Sequence, residues 1–82
     1  YPNPVPPGYQ GKIAVKGLVA DSDVRITDIS GNVVYTARSI GGQVTWEGNN
    51  LNGERVSTGI YLVFMTAPDG ASKQVSKILF LK

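Results

Sequence analysis

The chemically reactive side chains of this sequence are carboxylates, serines and lysines, because its 82 residues include no cysteine and no histidine. Thiol nucleophiles, cysteine metal sites and histidine-dependent triads are therefore excluded. Asp28 and Glu47 could form an acid–base pair, but they fall at a predicted turn and a strand end, where a small β-domain has no deep cleft. Ser76 and Lys77 are neighbours in a predicted strand, so their side chains point to opposite faces. The sequence indicates a non-catalytic protein.

Oxygen ligands for a cation are concentrated at Asp21, Asp23 and the asparagine-rich segment 48–54. The Asp-Ser-Asp run lacks the ligand spacing and the following glycine of a calcium-binding loop. Aspartate and asparagine in turns commonly accept hydrogen bonds from nearby backbone amides. We therefore expect these residues to cap turns, and we predict neither a metal nor another cofactor.

Two aromatic residues, Trp46 and Tyr61, are of the type that stacks on sugar rings. However, Trp46 shares a strand face with Val44, and Tyr61 lies in the most apolar segment of the chain. We expect both rings in the hydrophobic core, and a carbohydrate-binding module is the less favoured alternative.

Length and charge restrict the remaining classes. A chain of 82 residues forms one small domain. The net charge of +2 comes from basic residues dispersed along the chain, whereas nucleic-acid binding requires a clustered basic surface. The longest apolar run, 60–65, is far shorter than the roughly 20 residues of a membrane helix. We expect no nucleic-acid partner and no membrane insertion. Because the sequence begins without an initiator methionine or a signal peptide, we interpret it as part of a longer protein.

The elements that must position these residues are strands. Valine, isoleucine and threonine make up about a quarter of the chain, which favours β-structure, and no segment has the apolar stripe of a helix. Strands are predicted at 13–18, 24–28, 33–36, 43–47, 60–66 and 73–82, with a tight hairpin at 28–32. Six or seven short strands at this spacing indicate an all-β antiparallel sandwich.

Three segments have further implications for the architecture. Residues 60–65 are apolar at consecutive positions, so we expect a central strand with both faces covered. Residues 1–10 are rich in proline and should be extended and stiff, forming a lead-in or hinge before a sandwich at 11–82. In the last strand Ile78 and Phe80 can face the core, which places Leu79 and Leu81 on the opposite face. These leucines either form a docking patch beside a strand edge or pack under the N-terminal segment.

Four motifs follow one another in the sequence: Pro2-Asn3-Pro4, the hairpin pattern V-x-I-x-D-x-x-G-x-x-V at 24–34, Gly59-Ile60-Tyr61, and the basic–apolar ending at 77–82. With these motifs the chain resembles the type A C-terminal sorting domains of the type IX secretion system, along essentially its whole length. It is most similar to those that follow β-propellers in Bacteroidota surface proteins. In place of the family's Trp-Asp-Gly it has Trp46-Glu47-Gly48, and we expect the Glu47 carboxylate to cap the following turn.

The resemblance implies an immunoglobulin-like antiparallel β-sandwich that acts as a sorting signal and not as an enzyme. Such a domain folds in the periplasm, is recognised by the secretion translocon or by sorting proteins, and is exported to the cell surface or the medium. The residues it suggests for recognition lie at both ends of the chain: Pro2, Asn3, Pro4, Lys77, Leu79, Leu81 and Lys82. Those with a structural role are Gly31, Asn32, Trp46, Gly48, Gly59 and Tyr61. A spacer that docks on a preceding domain is the alternative function, and an edge strand leaves a dimer open.

Overall fold

Six β-strands make up the domain in the computed structural model, which describes residues 3–82, so Pro2 lies outside the described residues. The strands are β1 (Ile13–Val15), β2 (Asp23–Thr27), β3 (Val33–Arg38), β4 (Val44–Trp46), β5 (Gly59–Thr66) and β6 (Ser72–Phe80). Residues 3–82 contain no helix, and thus none that could span a membrane. The all-β prediction is confirmed.

The strands form two antiparallel sheets that face each other as a sandwich. One sheet has four strands in the order β3-β2-β5-β6, and the other pairs β1 with β4. Consecutive strands β2 and β3, and β5 and β6, form hairpins, while β2 and β5 pair through a longer connection. The chain therefore changes sheets at β4, after the turn at Gly41-Gly42, and returns to the larger sheet at β5.

Strand β5 is central in its sheet, as predicted, but the expectation that both its faces are covered was wrong. Tyr61, Val63 and Met65 are buried between the sheets, whereas Ile60 is 40% exposed and the other outward residues are half-buried. The reason is the small size of the second sheet, which covers one face of the four-stranded sheet and leaves the outer face to solvent. Consecutive apolar residues on β5 therefore supply both the core and an apolar stripe on the surface.

The core contains the aromatic rings of Trp46, Tyr61 and Phe80, whose centroids lie 5.6 to 6.1 Å apart. Each polar ring atom has a partner: the Trp46 indole donates to the Asn49 carbonyl at 2.9 Å, and the Tyr61 hydroxyl donates to the Ser57 carbonyl at 2.6 Å. Both rings can therefore be buried without an unpaired donor. The prediction that Trp46 and Tyr61 belong to the core is confirmed.

The predicted hairpin between β2 and β3 is also confirmed, and Asp28 closes it. Its Oδ1 accepts hydrogen bonds from the backbone amides of Ser30 and Asn32, each at 2.9 Å, and its Oδ2 accepts one from the Asn32 side chain at 3.1 Å. These donors, the Asn32 amide above all, lower the pKa of the Asp28 carboxyl because they stabilise its charged form. Gly31 has a φ of 92°, which favours glycine.

In the loop after β4, Asn50 and not Glu47 caps the turn. The Asn50 side-chain oxygen accepts hydrogen bonds from the amides of Asn52 at 2.9 Å and Glu54 at 3.0 Å. The prediction that the Glu47 carboxylate has this role was wrong, because Asn50 lies within the turn and reaches both amides. What Glu47 contributes is its backbone carbonyl, which accepts a hydrogen bond from Arg55 at 3.0 Å.

Candidate functional site

The two ends of the chain meet along the outer edge of β6. Val5 forms a parallel bridge with Phe80; its amide donates to the Leu79 carbonyl at 2.7 Å, and its carbonyl accepts from the Leu81 amide at 3.0 Å. Its side chain is fully buried in the core. The prolines on either side of Val5 lack an N–H group, so a sheet edge is where this segment can pair. The boundary placed after residue 10 stays a prediction, but Val5 packs as part of the sandwich.

Asn3 extends this pairing with its side chain. Its Nδ2 donates to the Lys77 carbonyl at 2.8 Å, and its Oδ1 accepts from the Leu79 amide at 3.0 Å. A primary amide offers a donor and an acceptor on adjacent atoms, so the Asn3 side chain takes the place of a strand residue opposite β6. Aspartate has the same shape but lacks the donor. The geometry therefore explains why an asparagine stands at this position.

The side chains around this junction are exposed or, for Leu81, half-buried, and we call them the terminal surface: Asn3, Pro4, Lys77, Leu79, Leu81 and Lys82. Leu79 is 41% exposed and Leu81 is half-buried, while Ile78 and Phe80 are buried. The predicted alternation of faces in the last strand is thus confirmed. The N-terminal segment lies beside β6 and pairs with its backbone, so it does not cover Leu79.

Leu79 belongs to an apolar patch that continues onto β5. Its cross-strand partner is Ile60, and the next outward pair along the two strands is Lys77 with Leu62. Cross-strand partners on one face lie close enough for their side chains to touch. The terminal surface therefore combines an apolar patch with the exposed ammonium groups of Lys77 and Lys82, a combination suited to binding another protein.

Arg55 joins the elements next to the terminal surface, and sequence analysis missed it. Its guanidinium carbon lies 4.7 Å from the centre of the Phe80 ring. The same group donates hydrogen bonds to the backbone carbonyls of Glu47 and Tyr9. One side chain thus joins β6, the loop after β4 and the N-terminal segment. A single arginine at the end of a polar loop carries no sequence signal for this role.

The glycines singled out from the sequence differ in what the structure requires of them. Gly48 has a φ of 79°, and a Cβ placed there would lie 2.8 Å from the Phe80 ring and 3.0 Å from Arg55 Nη1. Gly59 lies opposite Phe80 at the start of β5, with open space where a Cβ would stand. Nothing in the structure explains a glycine at position 59. Gly48 is therefore the glycine that the aromatic core needs.

Tyr61, a titratable residue of the core beneath the site, has a structural role. Burial raises the pKa of the Tyr61 hydroxyl, and the negative charge of Asp28 raises it further, against the opposing effect of the hydrogen bond to Ser57. Tyr61 is therefore held in its neutral form as a hydrogen-bond donor.

Residues 3–82 contain no group of three acidic side chains placed to hold a metal ion. Asp23, named above as a candidate ligand, pairs instead with Arg38 at 3.3 Å.

The domain is a small antiparallel sandwich in which Asn3, Val5 and the last strand form one exposed edge. Its sequence matches the family of secretion system C-terminal sorting domains over residues 1–80, and the chain belongs to this family. The resemblance noted from the motifs is thereby confirmed. The domain is a C-terminal sorting domain of the type IX secretion system, of the kind that marks proteins for export to the cell surface or the extracellular space.

A solved structure is similar to the whole chain. It is PorZ of Porphyromonas gingivalis, described as an essential bacterial surface component of the type-IX secretion system. The two superpose with a TM-score of 0.86 and share 32% sequence identity over 100% of this chain and 11% of PorZ. The chain thus corresponds to a small part of that protein's length. The comparison with curated proteins gave no match.

Proposed function

We propose that the terminal surface is the part of the domain that the type IX secretion machinery recognises, through protein–protein contact and without catalysis. The observation that carries the proposal is the pair of hydrogen bonds between Asn3 and the backbone of β6. The opening and closing motifs were each predicted to act in recognition, and this pairing makes them one surface. Because Val5 and Phe80 are buried beneath it, a partner that binds the terminal surface also detects that the domain is folded.

The chemistry of the terminal surface favours a partner from the translocon or its sorting proteins that offers an apolar recess for Leu79 and Ile60. Both side chains are about two-fifths exposed, so a partner can bury further apolar area on each, at about 25 cal/mol per Å². Lys77 beside them would steer an acidic rim to the recess.

A secretion assay tests the proposal. Residues 1–82 are fused to the C-terminus of a periplasmic reporter in a bacterium with an active type IX system. Deleting residues 77–82 would be uninformative, because it removes the buried side chains of Ile78 and Phe80 and would unfold the domain. The informative variant is Lys77→Ser combined with Leu79→Ser, which changes two exposed side chains. Ile40→Ser is the matched control, since Ile40 is exposed at the turn between β3 and β4.

We expect the unsubstituted fusion and Ile40→Ser to reach the surface or the medium, and the double variant to stay folded in the periplasm. Resistance to protease reports folding in each case. Secretion of the folded double variant at the level of the unsubstituted fusion would overturn the proposal. Retention of all three folded fusions would instead favour a spacer that docks on a preceding domain.

The edges of the four-stranded sheet also suggest where a second copy would pair. The backbone of β6 is covered at 77–81 by Asn3 and Val5, whereas β3 is the opposite edge and pairs on one side with β2. Asn3 and Val5 do not cover residues 72–76 of β6. We infer that a dimer that pairs the full length of an edge strand of this sheet forms at β3. Replacing Thr36, an exposed residue of β3, with proline would remove a backbone donor there. Sedimentation equilibrium of both proteins would show whether this lowers self-association.

A further inference from the structure

A second candidate binding site lies on the outer face of the four-stranded sheet, away from the chain ends. It is a groove of about 520 Å³ between the β2–β3 hairpin and β5. The residues of the groove that bear on its chemistry are Arg25, Thr27, Ile29, Val33, Leu62 and Phe64. None of the six residues of the terminal surface lines it, and the two sites adjoin at Leu62, the cross-strand partner of Lys77.

The floor and one wall of the groove are apolar. Leu62 and Phe64 are half-buried on the outer face of β5, and Ile29 extends from the hairpin with 71% of its surface exposed. Val33, opposite Thr27 on β3, completes the apolar lining and is itself exposed. The same outward stripe of β5 continues through Leu62 to Ile60 and the terminal surface. An apolar side chain inserted here would bury area that the domain alone leaves in water.

The charge of the groove is positive and uncompensated. The exposed Arg25 side chain lies against the Phe64 ring, with its guanidinium carbon 6.0 Å from the ring centre. Within residues 3–82 the one ion pair is between Arg38 and Asp23, so Arg25 has no carboxylate partner there. Asp28, the acidic residue of the adjacent hairpin, is already hydrogen-bonded to the amides of its own turn. The groove thus offers a cation and lacks an anion.

Thr27 adds a second unsatisfied group. It is 5% exposed, and its hydroxyl is buried with no hydrogen-bond partner among residues 3–82. A buried hydroxyl without a partner destabilises the folded protein relative to one that is hydrogen-bonded. Thr27 lines the groove between Val33 and Leu62. An acceptor oxygen bound beside Arg25 would satisfy the Thr27 hydroxyl after rotation of the side chain toward the groove.

We propose that this groove binds a protein segment in which an acidic residue stands next to a large apolar one. The carboxylate pairs with the Arg25 guanidinium and accepts from Thr27, and the apolar side chain packs against Ile29, Leu62 and Phe64. Charge complementarity selects this partner, since the groove combines an unpaired cation with an apolar floor. The binding chemistry of the groove does not depend on the proposed function. The inference rests on that function only where it assigns the bound segment to a component of the secretion machinery.

An NMR titration of the 82-residue chain with short blocked peptides tests the binding chemistry. The probes are acetylated and amidated peptides of sequence Leu-Asp-Phe-Asp, Leu-Asn-Phe-Asn and Leu-Lys-Phe-Lys. We expect the acidic peptide to shift the amide resonances of Arg25, Ile29 and Leu62, and to bind at least about fivefold more tightly than the asparagine peptide. Arg25→Gln should abolish this preference, Arg25→Lys should retain part of it, and Thr27→Val should weaken binding of the acidic peptide.

Arg38→Gln is the matched control, because Arg38 is on the same sheet face but already pairs with Asp23. Equal binding of the three peptides, shifts outside the groove, or an unchanged preference in Arg25→Gln would overturn the proposal. Binding of the chain to phosphatidylglycerol vesicles with no response to the acidic peptide would overturn it too, in favour of a lipid ligand. The titration measures binding and does not depend on secretion. If the fusion assay fails and the titration is positive, the proposed function is refuted but the binding chemistry proposed for the groove is supported.

Discussion

The Leu79 amide donates a hydrogen bond to the side-chain oxygen of Asn3, at 3.0 Å, across 76 positions of the sequence. This bond joins the opening and the closing motif of the domain. The Asn3 amide nitrogen completes the pairing by donating to the Lys77 carbonyl at 2.8 Å. Residues from the beginning and the end of the sequence therefore form the edge of the last strand. A substitution in one of these segments should alter the stability of the other.

Replacing Asn3 with alanine should loosen the C-terminal strand. The substitution removes two hydrogen bonds at an exposed edge, so we expect the free energy of unfolding to fall by about 1–2 kcal/mol. Hydrogen exchange of the Leu79 amide should accelerate, because its acceptor is lost. Asn52→Ala is the control, since the Asn52 side chain is exposed in a loop and its loss should change stability by less than about 0.5 kcal/mol. Unchanged protection of the Leu79 amide would contradict the assigned bond.

Gly48 should tolerate alanine less well than Gly31. Both have a positive φ, which costs a residue with a Cβ about 1–2 kcal/mol. At position 31 the Cβ meets open space, whereas at position 48 it lies 2.8 Å from the Phe80 ring, and this overpacking adds about 1–3 kcal/mol. Urea unfolding of the two variants measures the difference. Equal losses of stability would show that the loop can move away from Phe80.

Stability should fall in acid partly through Asp28. The pKa of this carboxyl is lowered in the folded state, so the stabilisation is present above its unfolded value, near 3.8, and is lost as the pH falls through the folded value. Asp28→Asn should reduce stability at neutral pH, because it replaces a charged acceptor of the hairpin amides. It should also flatten the dependence on pH in the acidic range. Urea unfolding at a series of pH values measures both effects, and parallel curves for the two proteins would argue against this role.

Arg55→Lys should destabilise the domain although the charge is kept. Lysine cannot place donors on the carbonyls of Glu47 and Tyr9 while it lies flat on the Phe80 ring, so we expect a loss of about 1–3 kcal/mol. The control is Arg38→Lys, because the Arg38–Asp23 pair is solvent-exposed and such pairs contribute at most about 1 kcal/mol. Thermal unfolding compares the two variants. A smaller effect at position 55 than at position 38 would contradict the role assigned to Arg55.

Several parts of the fold could be predicted because they depend on neighbouring residues. The alternation at 24–26 and the outward placement of Leu79 follow from the two-residue period of a strand. The turn at 28–32 follows from its aspartate, glycine and asparagine, which are typical turn residues. At β5 the tertiary packing differs from the prediction made from the sequence, because a continuous apolar run there does not correspond to two covered faces. The size of the opposite sheet determines how many faces are buried, and no property of residues 60–65 encodes that size.

The candidate site shows the same division between local and long-range information. The sequence alone determined which residues of the last strand face the core, because Ile78 and Phe80 must share a side. Only the tertiary structure placed Asn3 against Leu79 and Arg55 over Phe80. These contacts join segments distant in the chain, and their formation depends on sheet order and on where an edge strand is left unpaired. Hydrophobic patterning reports which face of a strand is buried, but it carries no information on which distant segment covers its edge.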